Sequence, residues 1–363
     1  MGNTKQPNRT NIMKIHHTKN SSLIILMACA VSLILAGCAE VKNPPRKNPF
    51  TFITANHLFS VDFIDPEHAF LVGFNSSILS STDGAKTWQF QKSGTDFNLS
   101  DASFSDTKTG WISGRVGTVL HTSDGGTTWT KQQTGVDKHL FALTFVDSEY
   151  GWAVGDFGTI IHTSDGGTTW HNQSTGEDRI YNDVFFVDRQ TGWTVGEYGL
   201  IYHTSDSGKT WVQQECQDII PEYDETKWEL YPPSLYSVYF TDTSNGWASG
   251  MDGTIITTTD GGKLWKKVSN PAEADKLTLY KIQMINRKGW VVGQKGKYYS
   301  TQDSGKTWTC NSSSTDTKFW LRDLDFCDEQ NGMAVGARGT MLKTADGGKT
   351  WAMLSGIPLS MVK

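Results

Sequence analysis

The sequence of 363 residues carries only 10 Pro and 5 Cys, and it rarely shows the i, i+3, i+4 apolar spacing by which a helix buries one face. So little proline beside 36 Gly excludes a collagen-like or proline-rich disordered chain. The missing helical period points to an all-β fold. Beyond Cys38 the cysteines are Cys216, Cys310 and Cys327, an odd number without a CxxC pair, which argues against a disulfide framework or a zinc site. Acidic residues are absent from the first 37 positions, where Lys5, Arg9, Lys14 and Lys19 precede an apolar run from Leu23 to Ala36. That run is short for a membrane span. It ends at Leu35-Ala36-Gly37-Cys38, small residues before a cysteine, which is the pattern of a lipoprotein signal cleaved at Cys38 and lipidated there. Met13 would begin a leader of more usual length. Exported localisation follows, with anchoring by lipid at Cys38 on the periplasmic face of a membrane, and Ala39 is compatible with outer-membrane sorting.

Removing residues 1–37 leaves 29 basic groups against 38 acidic ones, a net charge of −9. Nucleic acid is an unsuitable partner for such a surface.

What the chain has in abundance is tryptophan, 14 in all, and repetition. The octet Ser81-Thr82-Asp83-Gly84-Ala85-Lys86-Thr87-Trp88 returns six more times, with its Trp at 129, 170, 211, 265, 308 and 351. A period of 41 to 54 residues is the length of a four-stranded propeller blade, so seven octets predict a seven-bladed β-propeller. The expected layout is a signal peptide at 1–37, a linker at 38–55, the propeller at 56–357 and a tail at 358–363. The third repeat shows the strands: 140–146, 151–154, 159–163 and 169–172. The innermost strand ends on Phe63, Phe104, Phe145, Phe186, Phe240 or Phe326, with Met284 in the sixth repeat. The second opens on Gly-Trp in five repeats, with Phe70 and Met333 in the first and last. Large rings there are expected to fill the wedge between blades. The octet is the turn between the third and fourth strands. Its aspartates, Asp83, Asp124, Asp165, Asp206, Asp260, Asp303 and Asp346, are expected to accept backbone N–H bonds within the turn. Seven copies of one residue at one place mean structure, since a catalytic site needs one constellation.

These octets resemble the BNR or Asp-box repeat. With the lipoprotein leader, the layout is most similar to the photosystem II stability and assembly factor family of cyanobacteria and plastids. The resemblance implies a non-enzymatic scaffold that holds a membrane protein or its precursor, such as a photosystem II subunit, by an arginine-rich patch on the rim opposite the Asp boxes. The turns between second and third strands, and the connections from each fourth strand to the first strand of the next blade, should lie on that rim. The frame of the turns repeats, as in Gly155-Asp156-Phe157-Gly158, while the middle residues vary. Only seven Arg follow the leader, and four of them, Arg115, Arg179, Arg322 and Arg338, map there. Asp156, Glu197 and Asp252 occupy the equivalent turns of blades three to five, a departure from an all-basic patch. The long spacing between Trp211 and Trp265 adds an acidic, aromatic insertion that includes Trp228, a further candidate contact. Alternative readings are an accessory lipoprotein of a transport or envelope complex, and a sialidase-like glycoside hydrolase. A sialidase requires three convergent arginines and a Tyr nucleophile, and the rim arginines do not fill those roles. His121, His162 and His203 recur at one strand position, where packing is expected rather than metal binding. No cofactor is called for.

Overall fold

A computed structural model gives the fold for residues 56–222, 231–311 and 317–354, and the backbone of 359–361. The leader, Cys38, the linker and Trp228 lie outside these described residues. The described chain is all-β: seven antiparallel sheets of four strands each, with helix limited to single 3-10 turns. In the third blade the strands are Leu140–Phe145, Gly151–Gly155, Ile160–Thr163 and His171–Asn172. Blade one carries a fifth strand: Leu359–Met361 pairs in parallel with Trp88–Phe90 on its outer edge. The C-terminal residues thus join the two ends of the ring from outside.

Rings fill the wedges between blades. Trp111 of blade two stacks on Phe145 of blade three at 3.6 Å, and Trp152 on Phe186 and Trp193 on Phe240 repeat the contact at 3.5 Å. In blades two to five and seven the Trp of the Asp box meets the inner-strand Phe of its own blade edge-on, as Trp170 meets Phe145. Gly precedes the second-strand Trp because a Cβ at Gly151 would fall 2.5 Å from the Phe145 ring. Burial of each such ring contributes about 3 kcal/mol. His121, His162 and His203 lie on the indoles of Trp111, Trp152 and Trp193, and burial lowers the pKa of each.

The Asp boxes are hydrogen-bonded turns. Asp83 Oδ1 accepts the N–H groups of Lys86 and Thr87, and its Oδ2 accepts the Thr87 hydroxyl at 2.6 Å. These bonds, the Thr87 hydroxyl first, pull the carboxyl down to about 2. Asp124, Asp165, Asp206, Asp303 and Asp346 repeat both bonds to the residue four places on, while Asp260 meets Leu264 and keeps only the backbone bond.

Candidate functional site: the channel and its mouth

The innermost strands line a central channel, and each of them departs from simple alternation. A bulge after the first residue, as between Leu99 and Asp101, brings the second and third residues both toward the axis. The fifth residue faces the axis as well, while the first, fourth and sixth enter the core.

Third and fifth positions build a chamber of about 200 Å³ lined by Asp62, Asp101, Asp183, Asp323, Asp325 and Lys281. Five carboxylates face one ammonium. Their first task is structural: each accepts a backbone N–H from the inner strand of the next blade. Asp62 takes Phe104, Asp101 takes Leu143, and Asp183 takes Val238. Asp323 and Asp325 of blade seven take Val61 and Phe63 of blade one, both at 2.8 Å, and so close the ring on the inside. Unpaired inner-edge N–H groups would otherwise be stranded.

Enclosure raises these acids. Burial pushes Asp101 up to about 6, and burial together with the facing Asp325 holds Asp62 well above the ordinary carboxylate range. Burial works against the charge of Lys281, but Asp183, 3.6 Å away, with Asp323, Asp101 and Asp325, overcomes it and raises the ammonium above its usual value. Among the described residues no group of three His, Cys, Asp or Glu side chains is placed to hold a metal ion.

The second positions form the mouth, on the rim away from the Asp boxes: Phe59, Ser100, Phe141, Asn182, Tyr236, Tyr280 and Arg322. Arg322 is half-buried here, on the inner strand Leu321–Phe326 rather than on a turn, and its guanidinium lies 5.2 Å from the Tyr280 ring and 5.8 Å from that of Tyr236. Around the mouth stand the turns that carry the other candidates. Arg338 lies 4.9 Å over Phe319, and its N–H donates to His57 Nδ1, inside a group of rings formed by His57, Phe59, Phe74 and Trp320. Arg179 lies 5.0 Å over Tyr198. Arg115 is exposed, and burial, with the Arg115 charge nearby, lowers His139 to about 4. Among the described residues none of these four arginines forms an ion pair, whereas Arg189 on the opposite rim holds both Asp147 and Glu149.

The acidic candidates are less alike. Asp252 is exposed at a turn tip. Glu197 accepts the Ile180 N–H at 3.1 Å. Burial, with Glu197 nearby, raises Asp156. The start of the long insertion lies along blade five: Cys216 and Ile219 are buried, and Asp218 caps the Lys267 N–H on that blade's outer strand.

Sequence reasoning found the arginines but not the mouth rings or the chamber acids. Phe59, Phe141, Tyr236 and Tyr280 each follow the first core residue of an inner strand, and only the bulge turns them toward the axis.

Seven blades closed by Asp-box turns, with a ring-lined and arginine-bearing mouth opposite them, define an Asp-box β-propeller. The model of the family described as photosynthesis system II assembly factor YCF48 matches residues 46–135, 129–226 and 221–314. Those segments span well over half of the sequence, and the chain belongs to that family. A search of curated proteins gave no match. Among solved structures, a YCF48 bound to D1 peptide is similar at a TM-score of 0.65 and 19% identity, covering 82% of this chain and 93% of that one. YCF48 from Cyanidioschyzon merolae is similar at 0.64 and 19%, covering 82% and 97%. The GH74 xyloglucanase from Xanthomonas campestris reaches 0.66 at 11% identity, covering 82% of this chain and 54% of the enzyme. At such identities the likeness is one of fold.

Proposed function

We propose that this protein is an exported, non-enzymatic scaffold, lipid-anchored at Cys38, that holds a polypeptide segment of a membrane protein across the channel mouth during assembly of a complex. The observation that carries the reading is Arg322, a half-buried guanidinium over two tyrosine rings with no carboxylate partner among the described residues. A planar fork so placed keeps its donors for an incoming carboxylate or backbone carbonyl, and the rings beside it supply apolar contact. Family membership supports the assembly role, and the peptide-bound YCF48 among its structural neighbours supports a polypeptide ligand and a photosystem II subunit as the partner. A lipid tether would raise the effective concentration of the rim for membrane-embedded partners.

The test is recovery of partners from detergent-solubilised host membranes by tagged protein. Wild type should recover a membrane-protein subunit, and Arg322→Ala should recover about tenfold less of it, as expected for truncation of an interfacial arginine. Equal recovery by both forms, or none by either, would sink the proposal.

A further inference from the structure

Apolar side chains are not spread evenly over this surface. Phe74, Phe97, Val116, Phe157, Tyr198, Ile220, Tyr231, Met251 and Phe319 are exposed on the mouth rim, against only Val212, Leu264 and Met353 elsewhere among the described residues. Three of them share a more specific feature. Val116, Phe157 and Tyr198 hold one position of the turn between second and third strands in blades two, three and four, with φ of 57°, 56° and 54°.

Left-handed backbone is unfavourable for β-branched and aromatic residues, at about 1–2 kcal/mol each, and glycine would adopt it freely. Side-chain contacts offset only part of that cost: Phe157 has Lys138 beside it, and Tyr198 has Arg179 and, at 4.4 Å, the Tyr231 ring. Phe157 is 57% exposed, Val116 45% and Tyr198 38%. The turn imposes this backbone in the other blades as well, where Asn75, Asp252, Lys295 and Arg338 have φ of 53° to 57°, and what sets blades two to four apart is that the position carries an exposed apolar side chain.

Charges of both signs stand between the tips. Lys138 lies 5.1 Å from the Phe157 ring with Asp156 beside it in sequence, and Arg179 lies 5.0 Å from the Tyr198 ring with Glu197 beside it. A uniformly anionic lipid surface would be repelled by half of this pattern. A polypeptide with apolar side chains separated by polar ones of both signs complements it, and such interfaces favour aromatics and arginine.

We infer that Val116, Phe157 and Tyr198 form an apolar docking arc on blades two to four that receives the hydrophobic side chains of an extended polypeptide. This rests on the proposed scaffold role and extends its contact from the arginine at the mouth to the outer rim.

The arc has an unusual test, because glycine removes each side chain and relieves its backbone together. The full chain in detergent, immobilised, is offered a pool of random-sequence synthetic peptides, beside a triple variant Val116→Gly, Phe157→Gly, Tyr198→Gly. Wild type should enrich peptides bearing Leu, Phe, Met or Trp, and the triple variant should retain about tenfold less of them with no fall in thermal midpoint. A conservative triple variant, Val116→Ile, Phe157→Tyr, Tyr198→Phe, should keep the enrichment. Retention of the same peptides by the glycine variant overturns the arc, and if Arg322→Ala alone loses them, the scaffold reading survives without it. Loss of phosphatidylcholine and phosphatidylglycerol vesicle binding in the glycine variant, with peptide binding unchanged, overturns it in favour of a lipid surface. No peptide enrichment by any form overturns both readings.

Discussion

Leu264 shows how much one octet position contributes. Six Asp boxes place a Thr four residues after the aspartate, and its hydroxyl meets Oδ2 at 2.6 to 2.7 Å. Blade five has Leu264 there, 54% exposed, so Asp260 keeps only the backbone bond. Leu264→Thr restores the hydroxyl at no loss of core packing. It should raise stability by about 0.5–1 kcal/mol, the net worth of one hydrogen bond. Thermal melts of the two forms decide it, and an unchanged or lower midpoint means that the hydroxyl does not stabilise the turn.

At the scale of elements, the ring is closed twice. Inside, Asp323 and Asp325 accept the Val61 and Phe63 N–H groups. Outside, Leu359–Met361 pairs with Trp88–Phe90. Deleting residues 359–363 leaves the inner closure intact and returns blade one to four strands. The expected cost is about 2 kcal/mol for the lost ladder bonds, with faster amide exchange confined to the outer strands of blade one. Exchange that accelerates evenly around the ring would mean that the outer strand carries the whole closure. Neither closure was legible in the sequence, whereas the four strands of each blade were. The octets, the Gly-Trp openings and the terminal Phe of six inner strands, with Met284 in the sixth repeat, identify four strands per blade, because period-two alternation and turn chemistry are local. The tail strand has no octet and no partner nearby in sequence, so its pairing depends on where the ring brings Trp88.

Across the whole molecule, pH acts on opposed sets of groups. Asp101 titrates near 6 in the fold, above an unfolded carboxylate near 4, so the folded state binds its proton first and stability rises as pH falls through 6 toward 4. His139 and His162 titrate near 4, below the ordinary histidine value near 6.5, and there stability falls as pH falls. Asp83 and Asp303, near 2 in the fold, stabilise above about pH 4 and cease to as pH drops toward 2. Lys281 tests the chamber directly. Lys281→Met leaves five enclosed carboxylates without their cation, and stability should fall by about 3 kcal/mol near pH 8. The deficit should shrink near pH 5, where protons replace the ammonium charge. A pH-independent deficit would show that packing, not charge, is the residue's contribution.

By itself the sequence determined the blade count, the strand order and the Asp-box turns, since each depends on residues within about ten positions of one another. It also placed Arg115, Arg179 and Arg338 on the turn-bearing rim, because a turn is legible from its glycines. Only the tertiary structure decided that Arg322 faces the axis over Tyr236 and Tyr280, that five aspartates and one lysine share a chamber, and that Val116, Phe157 and Tyr198 stand exposed at equivalent turns of successive blades. Those arrangements arise from a bulge that breaks alternation in every inner strand and from closing seven blades around one axis. Ring closure sets side by side residues that the chain separates by one or more whole repeats.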